Sequence, residues 1–163
     1  MTSTTIEPGL YRDAMARYAG HVQIITAVHD GVKRGVTVTA ACSVSDNPAT
    51  VLACIAKDNP HNAVFGASGF FALNTLSAEH QSLADIFSGL VAMDGSDRFK
   101  HGDWDTMATG APTLADAIAV YDCRLIEVKE VATHLVLFGQ VEALRLGPDN
   151  PALIYMNRAY HTI

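Results

Sequence analysis

The stretch Gly35-Val36-Thr37-Val38-Thr39-Ala40-Ala41-Cys42-Ser43-Val44-Ser45 decides how this 163-residue chain is read. Side chains of a β-strand alternate between its two faces. A single strand over residues 35–45 therefore sends Thr37, Thr39, Ala41, Ser43 and Ser45 to one side. It sends Val36, Val38, Ala40, Cys42 and Val44 to the other. The first side is small and hydroxyl-rich, without the Lys, Glu or Gln that a merely solvated face carries. Taken alone, the pattern describes a flat wall for a polar ligand and equally a Thr-rich, half-exposed strand, since Thr is a good strand former.

The flanking segments extend the same architecture. Residues 22–28 are apolar and β-branched, and His29-Asp30-Gly31-Val32 turns that strand back, Asp-Gly being a strong hairpin signal. Asp46-Asn47-Pro48 makes a second turn, and residues 50–56 return as a strand. Upstream, Leu10, Tyr11, Ala14, Met15 and Tyr18 recur at helical spacing, with Pro8 at the start and Gly20 past the end. Downstream, the polar run Lys57-Asp58-Asn59-Pro60-His61-Asn62 leads into a short helix over residues 63–67. Residues 70–76 read as a strand with Asn74 embedded in it. Ser77 reads as the cap of a helix that buries Leu83, Ala84, Ile86 and Phe87. Residues 89–112 show no period, and a segment of that length is usually functional or mobile. Residues 118–131 and 134–146 form two long strands of a hairpin, and Leu153-Ile154-Tyr155 is the last strand. Six or seven strands joined by tight turns, with about three short helices and no βαβ alternation, predict an antiparallel closed or nearly closed barrel.

Composition narrows the function. Apolar residues make up 49% and charged residues 17% of the chain. That balance points to surface hidden in a subunit interface, most simply a two-fold dimer. The net charge is −6 and no run of Lys or Arg occurs, which argues against nucleic acid as a partner. Cys42, Cys54 and Cys123 all lie in apolar stretches and are expected as buried free thiols in a reducing compartment. Residues 1–7 are short and polar without a leader pattern, and no apolar run nears the ~20 residues of a membrane-spanning helix. A cytoplasmic protein is expected.

The chemistry-bearing motifs are informative mainly by exclusion. Twelve glycines include neither GxGxxG nor GxxxxGK[ST], so neither a dinucleotide fingerprint nor a P-loop is present. A bound phosphate would have to be held by Ser, Thr, Asn, Lys and backbone N–H groups. The run from Lys57 to Asn62, at a helix start, supplies such groups or is an ordinary capping loop. The seven histidines show no metal-ligand spacing, and no CxxC pair occurs, so no metal site is expected. Ser43 and Ser45 lack a nucleophile elbow. His134 opens an apolar strand and so sits at a barrel rim, as part of a site or as a solvated strand end. Phe99 and Trp104 fall in the aperiodic segment, where they cover a ligand or fill an interface.

Together the pieces resemble one family. The order GHVQIITA, GVTVTAACSVSDNPATVLACIA, a polar turn, Phe70-Phe71-Ala72-Leu73-Asn74, Gln81-Ser82-Leu83-Ala84, Asp97-Arg98-Phe99, Thr133-His134-Leu135, Leu153-Ile154-Tyr155 and Tyr160-His161 is similar to the flavin-reductase-like domain family. Its members are short-chain NAD(P)H:flavin oxidoreductases. The resemblance implies a mainly β, FMN-binding split barrel of antiparallel Greek-key type with short helical insertions, as one domain over residues 1–163. It implies that Thr37, Val38, Thr39, Ala40, Cys42 and Ser43 lie beside the isoalloxazine and ribityl chain of FMN or FAD. Cys54, Ile55, Ala56 and Lys57 continue that wall. Asn59 (where some relatives carry Ser) and Asn62 fall where the phosphate is held, and Phe99 lies in a loop near the flavin. His134 matches a histidine on the nicotinamide side, and family members are dimers whose subunits share each site. The implied reaction passes a hydride from NADH or NADPH to flavin N5, which needs no nucleophile or strong base from the protein. Backbone N–H groups over residues 37–40, and Lys57, are candidates to stabilise charge near flavin N1. Reduced flavin would go to a partner monooxygenase. The alternatives are a flavoprotein reducing another acceptor, such as the cobalt of cob(II)yrinic acid a,c-diamide in cobalamin biosynthesis, and a non-catalytic flavin-binding protein.

Overall fold

The computed structural model describes residues 5–163; residues 1–4, part of the short polar stretch in which no leader pattern was read, lie outside the described residues. Twelve strands are found among the described residues, against the six or seven expected, because several are short pieces that periodicity cannot register. They are β1 Gly20–His21, β2 Gln23–His29, β3 Val32–Val38, β4 Ala41–Asp46, β5 Ala49–Ala56 and β6 Phe70–Thr75. After them come β7 Trp104–Thr106, β8 Pro112–Leu114, β9 Ala119–Val131, β10 His134–Leu146, β11 Leu153–Met156 and β12 Ala159–Thr162. The helices are α1 Pro8–Ala16, α2 Ala63–Ser68, α3 Gln81–Ser88 and α4 Gly95–Arg98. The β12 strand was not anticipated; Asn157 and Arg158, at φ 53° and 58°, turn the chain back onto β11.

The main sheet runs β3-β2-β6-β9-β10-β5-β4, with every pairing antiparallel. Its two outermost strands, β3 and β4, are consecutive in the chain and joined only by Thr39 and Ala40. So short a link spans about 10 Å at full extension, so the sheet must roll until its two edges meet. The closure is visible in the bond from Cys54 N–H to the Ala40 carbonyl at 2.9 Å. Residues 35–45 are therefore two strands and not one. The crossing between them also exchanges faces. On β3 the even positions Val36 and Val38 pack into the barrel, whereas on β4 it is Ala41, opposite Ala53, that does so.

Two cores result. Inside the barrel, Ile25, Val38, Ile55, Phe71, Leu73 and Leu137 pack together, with Phe65 of α2 among them. Outside, Ile24, Ala72 and Val120 on the opposite faces of β2, β6 and β9 lie under Leu83, Ala84 and Phe87 of α3. The strands β2 and β6 and the first five residues of β9 are thus buried or half-buried on both sides. Burying side chains of this size stabilises by about 1.5–3 kcal/mol each. The outer core also determines the fate of Thr37, whose hydroxyl donates to the Ala84 carbonyl at 2.7 Å. The first residue of the hydroxyl-rich face is thus covered by a helix.

Residues 89–112, expected to be without structure, contain α4 and β7 and run into β8. Buried polar bonds tie the segment to the barrel. Fully buried Asn74 donates to the Ile24 carbonyl at 2.9 Å and accepts from Leu114 N–H at 2.8 Å. Fully buried Asp122 accepts from Thr109 N–H at 2.8 Å. Leaving such groups unpaired would cost about 1–3 kcal/mol apiece, so the segment has one place to go. At its centre Phe99 meets Phe87 edge-to-face at 5.1 Å and Trp104 at 5.1 Å.

The cysteines differ from expectation. Cys123 is buried, Cys54 half-buried, and Cys42 exposed, because β4 is the sheet's edge strand and its even positions point away from the barrel. The helix α1 buries none of its residues, so Leu10, Tyr11, Met15 and Tyr18 form an uncovered apolar stripe.

Two outcomes follow from this packing. A Cβ on Gly35 would stand 2.5 Å from the buried Phe87 ring and 3.1 Å from Phe99, so Gly35→Ala should lower stability by about 1–3 kcal/mol in urea denaturation. Burial, and then the neighbouring Cys42, raises the pKa of Cys54; burial with the Asp122 and Glu142 charges pushes Cys123 up to about 12. A thiol-reactive dye at mildly alkaline pH should label Cys42 first, Cys54 more slowly, and Cys123 only after unfolding.

Candidate functional site

The residues singled out in the sequence fall into three places. Thr39 and Ala40 are exposed at the crossing, with Val38 buried before them and Cys42 and Ser43 exposed after them. The β5 residues Cys54, half-buried, and Ile55, buried in the barrel, lie alongside. No hydrogen bond from the backbone N–H of Thr39 or Ala40 occurs among the described residues. The crossing thus presents two free donors on exposed backbone. A hollow of about 440 Å³ opens beside them, lined by Thr37, Val38, Thr39, Leu90, Tyr155 and Tyr160 among others. The Tyr160 hydroxyl donates to an Asp85 carboxylate oxygen at 2.8 Å, and burial together with that carboxylate raises its pKa.

The second place is the rim where β5 ends and β10 begins. His134, exposed, stands opposite Ala56, and its Nδ1 lies 2.8 Å from the Thr133 hydroxyl. Lys57 N–H donates to the Thr133 carbonyl at 3.1 Å, and Lys57 Nζ pairs with Glu130 at 2.5 Å. Both asparagines are engaged in the fold. Asn62 donates from Nδ2 to the Ala56 carbonyl at 2.8 Å and accepts Arg34 Nε at 2.9 Å on Oδ1. Asn59 accepts His61 N–H at 3.0 Å, capping the short helical turn Pro60–Asn62.

Phe99 occupies the third place, away from the crossing. Its ring, under Lys33 Nζ at 5.7 Å, borders a cleft of about 950 Å³ between the β2–β3 turn, the Pro60–Asn62 turn and α4. Lys33, Arg34, Arg98 and Lys100 line that cleft together with a single carboxylate, Asp94. The sequence reading missed this cluster, since its cations come as two separated pairs and only the tertiary fold unites them. It also missed His80, which is buried and accepts Ser77 N–H at 3.0 Å as part of the box that starts α3. A Ser three residues before a His is too common to signal this. Among the described residues no group of three His, Cys, Asp or Glu is placed to hold a metal. Among the same residues no helix is long and apolar enough to cross a membrane.

Comparison with known proteins bears on this arrangement. The Flavin reductase like domain family matches residues 15–163. The chain is 42% identical over 153 residues to the FMN reductase (NADH) RutF of Ancylobacter novellus, covering 94% of this chain and 83% of that protein. It is 40% identical over 163 residues to the RutF of Bradyrhizobium diazoefficiens, covering 100% of this chain and 89% of that one. Among solved structures, a candidate flavin reductase of Haemophilus somnus superimposes with a TM-score of 0.92 at 35% identity, covering 97% and 100% of the two chains. Flavin reductase PheA2 superimposes with a TM-score of 0.88 at 25% identity, covering 97% and 99%. With the fold and nearly its whole length matched, this chain belongs to the flavin-reductase-like domain family.

Proposed function

We propose that the chain is an NADH-dependent flavin reductase that reduces FMN and passes it to a partner oxygenase. The observation that carries this reading is the 42% identity, over 94% of the chain, to a protein named FMN reductase (NADH). The residues present fit such a ligand. The free N–H donors of Thr39 and Ala40 suit the carbonyl and ring-nitrogen edge of a planar heteroaromatic. The buried Nε of Arg98, without a partner among the described residues, and the other cations of the cleft suit phosphate.

When bound, flavin supplies the hydride-accepting centre of the reaction. The protein's share is positioning and electrostatics. The Thr39 and Ala40 N–H groups oppose negative charge on the ring edge they face, and they need not reorganise because the crossing already fixes them. His134, held at Nδ1 by Thr133, stands at the rim where a nicotinamide would arrive. Cys54, Ile55 and Ala56 continue the wall, and Lys57 is held by Glu130 at its edge. Residues 1–163 form one such unit, which works as a two-fold dimer. Its support is apolar surface left open on this chain: Leu10 at 64%, Tyr18 at 72%, Leu144 at 56% and Leu146 at 82% exposure. Exposed clusters of this kind mark association surfaces.

Four outcomes test the proposal. NADH oxidation by the purified chain should rise with added FMN; no stimulation by any free flavin contradicts it. Flavin that stays bound through turnover while a cobalt corrinoid is reduced would move the acceptor to a corrin. His134→Ala should slow anaerobic flavin reduction about tenfold, the size of one hydrogen bond of about 1.5 kcal/mol, while FMN affinity is unchanged. Sedimentation should give twice the chain mass, and a monomer would remove the dimer from the account.

A further inference from the structure

The barrel is filled unequally at its two ends. Near the turn at residues 60–62, α2 brings the fully buried Phe65 ring into the inner core. At the other end a hollow of about 410 Å³ is left between the strands. Its walls come from β2, β4, β5, β6, β9 and β10, six of the seven strands of the main sheet. Thr50 and Leu144 place it at the ends of β5 and β10 remote from His134. None of residues 36–40 lines it, and of the residues that the family resemblance sets beside flavin only Cys42 and Ser43, both exposed, border it. Its deeper groups are polar and underused. Gln23 is 8% exposed, and its Oε1 accepts the Thr75 hydroxyl at 3.3 Å. The Nε2 donors of Gln23 have no hydrogen-bond partner among the described residues. Neither has the hydroxyl of Tyr121, which packs against the inner core and lines the same hollow. Buried polar groups are almost always hydrogen-bonded, so this pair of groups calls for a third party.

We infer that this open end of the barrel is a binding site for a small uncharged aromatic amide, separate from the place where flavin is reduced. Barrel mouths are recurrent ligand sites, and those sites are mostly apolar with a few placed polar groups. Here Val51, Leu73 and Val141 supply the apolar walls. A rigid ring packs against them with little conformational entropy to lose. The polar pair selects the rest of the ligand. Gln23 Nε2 donates to a carbonyl oxygen, and the Tyr121 hydroxyl, donor and acceptor alike, takes the adjoining amide N–H. Charge selects against other ligands. No Lys or Arg lines the hollow, and His21 is already engaged with the Leu76 carbonyl at 2.8 Å. An anion would therefore lose its hydration without gaining a counter-charge, and it would meet the Asp46 carboxylate. The site stands independently of the flavin-reductase reading.

The test is titration of the whole chain with benzamide, followed through backbone amide NMR shifts. The largest shifts should fall on Gln23, Thr75 and Tyr121. Saturating FMN or NAD+ should leave the benzamide affinity unchanged. Benzoate, of the same shape but charged, should bind at least about tenfold more weakly. Gln23→Met and Tyr121→Phe should each weaken benzamide about tenfold, the loss of one hydrogen bond. If Gln23→Met fails to fold, Tyr121→Phe decides. Absence of benzamide binding, whether the hollow holds only water or is filled by a second copy of the chain, overturns the site. So does displacement by FMN or NAD+, which would make the hollow part of the reduction site, and so does equal binding by wild type and Tyr121→Phe. Benzamide binding that depends on these residues, in a chain that reduces no flavin, would refute the flavin-reductase reading and leave the site standing.

Discussion

Everything in this structure depends on the two-residue crossing at Thr39 and Ala40. Strands that are neighbours in sequence occupy opposite edges of a seven-stranded sheet, and a link of about 10 Å allows that only if the edges meet. The bond from Cys54 to Ala40 is where they do. Closure leaves the β3 and β4 ladders ending on either side of exposed backbone whose N–H groups have no internal partner among the described residues. A sheet normally hides such donors. Here the geometry of closure keeps two of them available, in the part of the barrel where a planar ligand is proposed to lie.

A second layer gives the crossing its surroundings. The helix α3, started by the Ser77–His80 box, lies over β3 and β2, takes the Thr37 hydroxyl on its Ala84 carbonyl, and holds Tyr160 through Asp85. The segment from Gly95 to Leu114 is fastened over the barrel by Asn74 and Asp122, two polar side chains with no exposure at all. That fastening carries Arg98 and Phe99 to the β2–β3 turn, where Lys33 and Arg34 already stand. A chain with net charge −6 thereby assembles a local excess of positive charge, of the kind that draws in an anionic nucleotide.

Much of this was legible in the sequence where local chemistry and tertiary structure agree. Asp30-Gly31 announced a hairpin because both positions take positive φ, 49° and 76°. The long strands ending in β9 and β10 were bounded to within a residue, and Asn74 stood out as polar in an apolar run. The antiparallel barrel followed from tight turns between strands, and the motif series pointed to the family and, through that resemblance, to its split-barrel form. What was not legible arose from long-range geometry. A two-residue alternation runs smoothly through residues 35–45, so nothing local marks the break at Thr39 or the exchange of faces beyond it. Cys42 has the neighbours of a core residue and an edge strand's exposure. The four cations of the cleft stand more than sixty positions apart in two pairs, and Asn62, expected at a phosphate, proves to be bonded to one of them.

The most direct measurement of the central claim is the change in backbone amide NMR shifts of the chain on titration with FMN. The account predicts that the largest shifts fall on Thr39 and Ala40 at the crossing and on the β5 residues from Cys54 to Lys57. Shifts confined to other parts of the molecule, such as the β11–β12 hairpin or the exposed end of β9 and β10, with the crossing unmoved, would contradict it.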